Sequence, residues 1–280
     1  QLTISNKQST VNSQQLTANN KQRITNDGIY LFPAASVLLV LIFSAYVFNI
    51  KPTKANLLAV DALWAISGNK EQSAVDNFKA AIDLKTYQTP EIRQKLADNI
   101  MLYNDNQHQL SNEQVADNFN LSINELEKNI QEAPWDVQND LYLMAVLNRG
   151  ANYDTRRWQE VLDWGEKALK LSPTRPQTYF EMGQALVAMK KYEEAVAVFK
   201  KGVDLNPETM ESRWNLFAAD IVAGRDDLAK EQFDFMTSRG YEFSTAENLQ
   251  RLYRIYSVAG RKKEMVSILE KMAELYPSGD

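Results

Sequence analysis

The residues that could do chemistry in this chain are few and scattered. His108 is the one histidine, it lies in the polar stretch Asn104–Gln109, and the chain has no cysteine. A metal or general-base site needs several converging groups, and no second histidine or thiolate is present to complete one. We therefore interpret His108 as a solvated loop residue and expect neither a metal nor another cofactor.

Pairs of like charges recur along the chain without forming a catalytic pattern. We interpret Glu193-Glu194, Asp226-Asp227, Lys190-Lys191 and Lys262-Lys263 as the polar faces and turns of helical hairpins. The sequence has no Gly-rich phosphate loop and no Gly-x-Ser-x-Gly nucleophile motif. These observations predict a chain that binds a partner and carries no catalytic constellation.

The net charge of the chain limits the kinds of partner that it can bind. The 280 residues carry a net charge of −5, and 24% of them are charged. Nucleic acid is bound through a basic face that neutralises phosphates, which a mildly acidic chain does not favour. We expect a protein or peptide partner and no nucleic acid.

An uncharged run, Ile29–Ile50, separates a polar segment from the rest of the chain. It is 22 residues long and contains no Asp, Glu, Lys or Arg. A bilayer core is crossed by roughly 20 apolar residues of helix, so the run predicts a transmembrane helix at 29–50. The alternatives are a buried core helix and a signal peptide, whose apolar region is shorter and ends in a cleavage site.

The segments around this run give little further information. Residues 1–28 are rich in Asn and Gln and have no apolar period, which predicts a disordered polar tail or loop. Three basic residues precede the run and three follow it closely, so the orientation in the membrane stays open.

A repeated pattern begins downstream, most clearly in Pro176–Pro207. This unit contains Tyr179, Met182-Gly183 and Leu186, followed by Ala195, Phe199, Gly202 and Pro207. The pattern resembles the tetratricopeptide repeat (TPR), in which two antiparallel helices cross at small residues and large residues fill the space around them. A second unit aligns Trp214, Ala218 and Ile221 with Tyr179, Gly183 and Leu186, and a third contains Leu249, Leu252-Tyr253 and Tyr256.

Upstream of residue 135 the units are less regular. Lys54–Ser67 and Glu71–Leu84 form the first predicted pair, and Ser111 with Gln114 and Ser122 with Glu125 each fit a capping box that starts a helix. We expect an all-α fold in which the transmembrane helix precedes a right-handed superhelix of about six hairpins. The predicted divisions are irregular TPR-like pairs over 54–134 and TPR repeats over 135–280.

A second resemblance covers the junction after the uncharged run. The passages Phe48–Asn56, Ala74–Ala81 and Thr89–Ala97, the last with Glu91-Ile92-Arg93, resemble the carboxy-terminal part of bacterial O-antigen ligase-like membrane proteins. In that family a final transmembrane helix runs directly into TPR units. The resemblance implies a bacterial inner-membrane location and a whole protein that handles lipid-linked glycans. It carries over no catalytic residue, because the family's catalytic loop has no counterpart in this sequence.

The first helices of the pairs line the groove of such a superhelix, so their exposed face is the candidate binding surface. Its predicted members are Gln177, Phe180, Gln184, Asn215, Ala219, Gln250 and Arg254. The face is mostly neutral, which favours an extended or helical peptide segment over capture of a terminal carboxylate. For Phe180, packing against the next unit is an equally weighted alternative.

Three functions are compatible with these observations. The first is a membrane-anchored TPR scaffold for protein–protein interaction. The second is the regulatory or interaction region of a glycan ligase or polymerase whose catalytic part lies elsewhere. The third is self-association through the last helical pair, with Tyr276 exposed.

Overall fold

The structure is a computed structural model that describes residues 35–102 and 110–277. Within these ranges it consists of twelve α-helices and no β-strand, which confirms the all-α class. The predicted tail 1–28, residues 29–34 of the predicted span and His108 lie outside the described residues.

The helices pack as six successive pairs, and each pair stacks on the next. This arrangement confirms the predicted solenoid of helical hairpins. The helices are α1 Ala35–Ser67, α2 Glu71–Asp83, α3 Thr89–Met101, α4 Asn112–Glu132, α5 Val137–Gly150, α6 Arg157–Leu171, α7 Pro176–Ala188, α8 Tyr192–Leu205, α9 Met210–Val222, α10 Asp226–Ser238, α11 Ala246–Val258 and α12 Lys262–Leu275.

Helix α1 runs without a break from the predicted membrane segment into the first pair. Among the described residues it is the one helix long and apolar enough to cross a membrane, and 6% of its most apolar 18-residue window is buried. A π-helical turn, Tyr46–Ile50, precedes Pro52. Because proline lacks an N–H and its ring crowds the preceding turn, a wider turn there accommodates Pro52 inside the helix.

Small residues let the two helices of the first pair approach closely. One hydrophobic cluster contains Ala55, Ala59 and Ala62 of α1 together with Ala74, Phe78 and Ala81 of α2. The small–large–small spacing seen in the sequence is therefore the buried face of α2.

The fourth pair shows why glycine occurs at a helix crossing. A Cβ atom added at Gly183 would lie 2.5 Å from the Cε1 and Cζ atoms of Phe199, and one added at Gly202 would lie 2.7 Å from Cε1 of Phe180. Both contacts are far below van der Waals distance. Phe180 thus contacts Gly202 inside its own pair, α7 and α8, whereas the alternative predicted packing against the next unit.

The fifth pair corrects the predicted alignment by one residue. Helices α7 and α9 begin at Pro176 and Met210, which are 34 residues apart, whereas alignment of Trp214 with Tyr179 assumes 35. At a spacing of 34, Phe217 occupies the place of Gly183, and buried Asp220 occupies the place of Leu186.

One of the two predicted capping boxes is wrong. Ser111 accepts a hydrogen bond from the Gln114 N–H while the Gln114 side chain accepts one from the Ser111 N–H, so this box is confirmed. Ser122, however, is a buried interior residue of the 21-residue helix α4. The helix continues there because the apolar period of Phe119 and Leu126 continues through it.

Two of the acidic pairs bridge consecutive units. Glu193 forms an ion pair with Arg225, and Asp226 forms one with Arg261. In both cases the carboxylate lies in the first turn of the second helix of one pair, and the arginine directly precedes the second helix of the next. Exposed pairs of this kind contribute about 0–1 kcal/mol each.

Candidate functional site

Two adjoining pockets form a groove along the first helices of the last four pairs. The downstream pocket, with a volume of about 450 Å³, lies between α7, α9 and α11. The upstream pocket, with about 380 Å³, lies between α5 and α7 and extends to the end of α3. Gln184 and Ala188 line both pockets, so we treat them as one groove.

Four of the seven predicted site residues line the downstream pocket. Gln184, Asn215 and Arg254 present polar groups there, while Ala219 is fully buried and contributes only to its floor. The one-residue shift of α9 explains the burial, because Ala219 is the counterpart of buried Ala185. The counterpart of the exposed Gln184 is the half-buried Ala218, which also lines the pocket.

The other three predicted residues do not line either pocket. Gln177 and Gln250 are exposed on α7 and α11, beside the groove. Phe180 is half-buried against Gly202. Gln250 touches the site only through its carbonyl oxygen, which lies 3.5 Å from Nε of Arg254.

Apolar side chains form the floor of the downstream pocket, and a few polar groups stand at its rim. The apolar lining includes buried Phe199, half-buried Val187, Val222 and Ile255, and exposed Val258. An apolar concavity with a small number of convergent polar groups is the usual form of a ligand or peptide site. This composition suits an apolar side chain of a partner flanked by hydrogen-bonding backbone.

Positive charge in the groove is left unneutralised. Arg149, Lys190 and Arg254 line the two pockets, and none of them forms an ion pair with the described residues. Four neighbouring arginines outside these pockets are each bound to a carboxylate: Arg225, Arg239, Arg251 and Arg261. The groove cations are therefore available to a partner.

The upstream pocket is more polar and contains residues that the sequence analysis missed. Asn148 donates from Nδ2 to Oε2 of Glu181 over 2.7 Å and to the Glu181 carbonyl oxygen over 3.0 Å. Burial raises the pKa of the Glu181 carboxyl, and the hydrogen bond from Asn148 opposes this effect. Arg149 donates from Nε to the Met101 carbonyl oxygen over 3.2 Å.

One of these residues of the upstream pocket, Glu181, could have been predicted from the sequence. Glu181 follows Gln177 by four residues and precedes Gln184 by three, so it shares their helical face. Asn148 and Arg149 lie in the last turn of α5, before the connection at 151–156 that interrupts the repeat pattern, and no aligned repeat position predicted them.

Within the described residues no group of three or more His, Cys, Asp or Glu side chains is arranged to hold a metal ion.

Tyr276, the residue considered for self-association, is half-exposed, and its hydroxyl donates to the Ser244 carbonyl oxygen over 3.1 Å. Self-association through this end of the stack stays a prediction.

Comparison with known proteins supports the repeat assignment. Residues 176–209 match the tetratricopeptide repeat family. A tetratricopeptide repeat protein from Parabacteroides merdae has the same fold, with a TM-score of 0.51 and 12% identity over 79% of this chain and 80% of that one. No curated protein sequence is similar enough to this chain to count as a relative.

Two further solved structures resemble the chain more loosely. The pilF protein of Pseudomonas aeruginosa gives a TM-score of 0.49 and 16% identity over 82% of this chain and 95% of that one. A thermophilic TPR protein from Thermus thermophilus gives 0.46 and 13% over 78% and 98%. At these identities the likeness concerns the fold alone.

Proposed function

We propose that this chain is a membrane-anchored TPR scaffold whose groove binds a peptide segment of a protein partner. The observation that carries the proposal is the groove itself, with an apolar floor and unpaired Arg254 and Lys190 at its rim. TPR stacks expose such a groove along their first helices, and peptide segments bind there through spaced anchors.

The anchor in this proposal is α1. Its uncharged part continues into the first pair without a linker, so the stack would be held close to the bilayer. Following the resemblance at the junction, we place the anchor in the bacterial inner membrane. Flotation of the full chain with lipid vesicles after alkaline washing tests the anchor, and release into the soluble fraction would overturn it.

Site-specific crosslinking tests the groove. A photo-reactive amino acid at Gln184 faces the groove, and the same amino acid at Lys201 on α8 is an exposed control outside both pockets. We expect a defined crosslinked polypeptide from position 184 in intact cells that position 201 does not yield. Equal capture at both positions would contradict the groove assignment.

A second candidate function is the interaction region of a glycan-transferring membrane enzyme. The continuity of α1 favours it, because a membrane helix that runs directly into the repeats is the arrangement of the O-antigen ligase-like proteins. The Glu91-Ile92-Arg93 segment also begins the second pair, as in that family. The genomic sequence upstream of Gln1 tests it: many further hydrophobic spans would support the enzyme, and a start codon close to Gln1 would exclude it.

A further inference from the structure

We infer that one edge of the first two helical pairs lies on the surface of the bilayer, with Tyr87 and Trp135 in the lipid headgroup region. This edge, here called the proximal edge, consists of the α2–α3 connection at 84–88 and the α4–α5 connection at 133–136. The inference rests on the membrane anchor of the proposed function and adds a second lipid contact to it.

The path of the first pair brings Tyr87 back to the predicted end of the span. After Ile50, α1 continues over Lys51–Ser67, which is 17 residues or about 25 Å. The chain turns at 68–70, and α2 returns over 13 residues, about 20 Å. Tyr87 comes four residues after α2 ends at Asp83, so it lies within a turn or so of the level at which α1 leaves the uncharged run.

Hydrogen bonds place the end of α4 at the same edge. Asn129 donates from Nδ2 to the Pro90 carbonyl oxygen over 2.9 Å, and Arg93 donates from Nη1 to Oε1 of Glu132 over 2.9 Å. The last turn of α4 therefore lies beside the first turn of α3. Trp135 comes three residues after Glu132, next to the α2–α3 connection.

Both aromatic side chains are unusually open to solvent. Trp135 is 76% exposed and Tyr87 is 69% exposed. Tryptophan and tyrosine combine an apolar ring with a polar group, and they concentrate where a membrane meets water. Exposure alone does not identify a membrane-facing edge, because Trp64 is also 73% exposed but lies about 21 Å beyond Ile50 along α1. Tyr87 and Trp135 differ from Trp64 in their position, near the level of Ile50.

The charges around the proximal edge agree with a lipid surface. Lys51, Lys54 and Lys85 form no ion pair with the described residues. The acidic side chains nearby are Asp83, Asp136, which caps α5, Glu91, which is paired with Lys95, and Glu132, which is bound to Arg93. Three unpaired lysines beside two exposed aromatic rings favour anionic lipid headgroups as the contact.

The absence of cysteine from the chain gives a direct test. Single variants Tyr87→Cys, Trp135→Cys and Trp64→Cys of the full chain are labelled with an environment-sensitive fluorophore and reconstituted into phosphatidylethanolamine–phosphatidylglycerol vesicles. Lipids that carry a quencher near the carbonyl level are then added to the vesicle composition. We expect quenching at 87 and 135 to exceed that at 64 by at least about twofold, because only the first two would reach the interface.

The outcomes separate the inference from the proposed function. If the chain does not float with the vesicles, the anchor fails and the edge contact fails with it. If it floats and the three labels are quenched equally, the anchor stands and the inference is overturned. Asp83→Cys, at the exposed end of α2, provides a third label at the same edge should an aromatic replacement alter the helical content.

Discussion

The guanidinium of Arg93 binds the carboxylate of Glu125 across the α3–α4 pair, with 2.9 Å between Nε and Oε2 and 9% of each side chain exposed. Its Nη1 atom also donates to Oδ1 of Asn129 and to Oε1 of Glu132, each over 2.9 Å. The arginine of the junction resemblance therefore holds the second pair together.

Loss of this arginine should destabilise the stack severely. Arg93→Met removes the buried partner of the Glu125 carboxylate and leaves it only the exposed Lys128, and breaking a buried pair from one side costs about 3–5 kcal/mol. We expect that loss in the free energy of unfolding, measured by denaturant titration of the detergent-solubilised chain. The double variant Arg93→Met/Glu125→Leu removes both charges and should recover most of it; no recovery would show that the buried charge is not the cause.

The crossing at Gly183 should not tolerate a single added carbon. Gly183→Ala places Cβ 2.5 Å from the Phe199 ring, and overpacking of this kind costs about 1–3 kcal/mol. Gly68→Ala is the matched control, because its nearest atoms lie at 3.5 Å and its φ is −94°. Thermal unfolding should show a lower midpoint for the first variant only, and Phe199→Leu should partly relieve it.

The helices and their pairing were predictable because the apolar period and the turn residues agree at each pair. The register inside α9 was not, since Trp214 is a large residue that fits either of two neighbouring alignments. The alignment chosen for Trp214 decided whether Ala218 or Ala219 was predicted to face the groove. The predicted capping box at Ser122 was wrong for a similar reason. A local capping pattern is a weaker signal than the apolar period, which continues along α4 on both sides of Ser122.

The groove stays a prediction, but part of its geometry follows from the repeat pattern. Gln184, Asn215 and Arg254 were placed on one face by that pattern and line one pocket in the structure, because consecutive first helices stack side by side. The contact of Asn148 with Glu181 depends on how the irregular connection at 151–156 lets α5 pack on α7, which no local spacing encodes.

Buried Asp220 should make the stability fall as the pH rises. Burial, and secondarily the charge of Glu231, raises the pKa of Asp220 to about 6 from its usual 3.8. The folded chain then holds a proton that the unfolded chain has released, so stability is lost between about pH 4 and pH 6 and stays lower above that.

Asp220→Asn removes this titration. We expect the variant to be about 1–3 kcal/mol more stable than the parent chain at pH 7, with the difference vanishing below about pH 4. Exposed Asp227→Asn changes the net charge equally and is the control. Denaturant titrations at several pH values measure both; a difference independent of pH would contradict the role of the buried carboxyl.

A charge on the floor of the groove should abolish partner capture without unfolding the stack. Ala218 lines the downstream pocket and is half-buried, so Ala218→Glu introduces a bulky carboxylate into the space that a partner side chain would occupy. Loss of a central hot-spot contact costs about 2 kcal/mol or more, so we expect capture at position 184 to fall by about tenfold or more. Ala197→Glu on the exposed face of α8 is the matched control, since it adds the same side chain outside both pockets. Equal capture by the two variants, with unchanged helical content, would mean that the partner binds elsewhere on the stack.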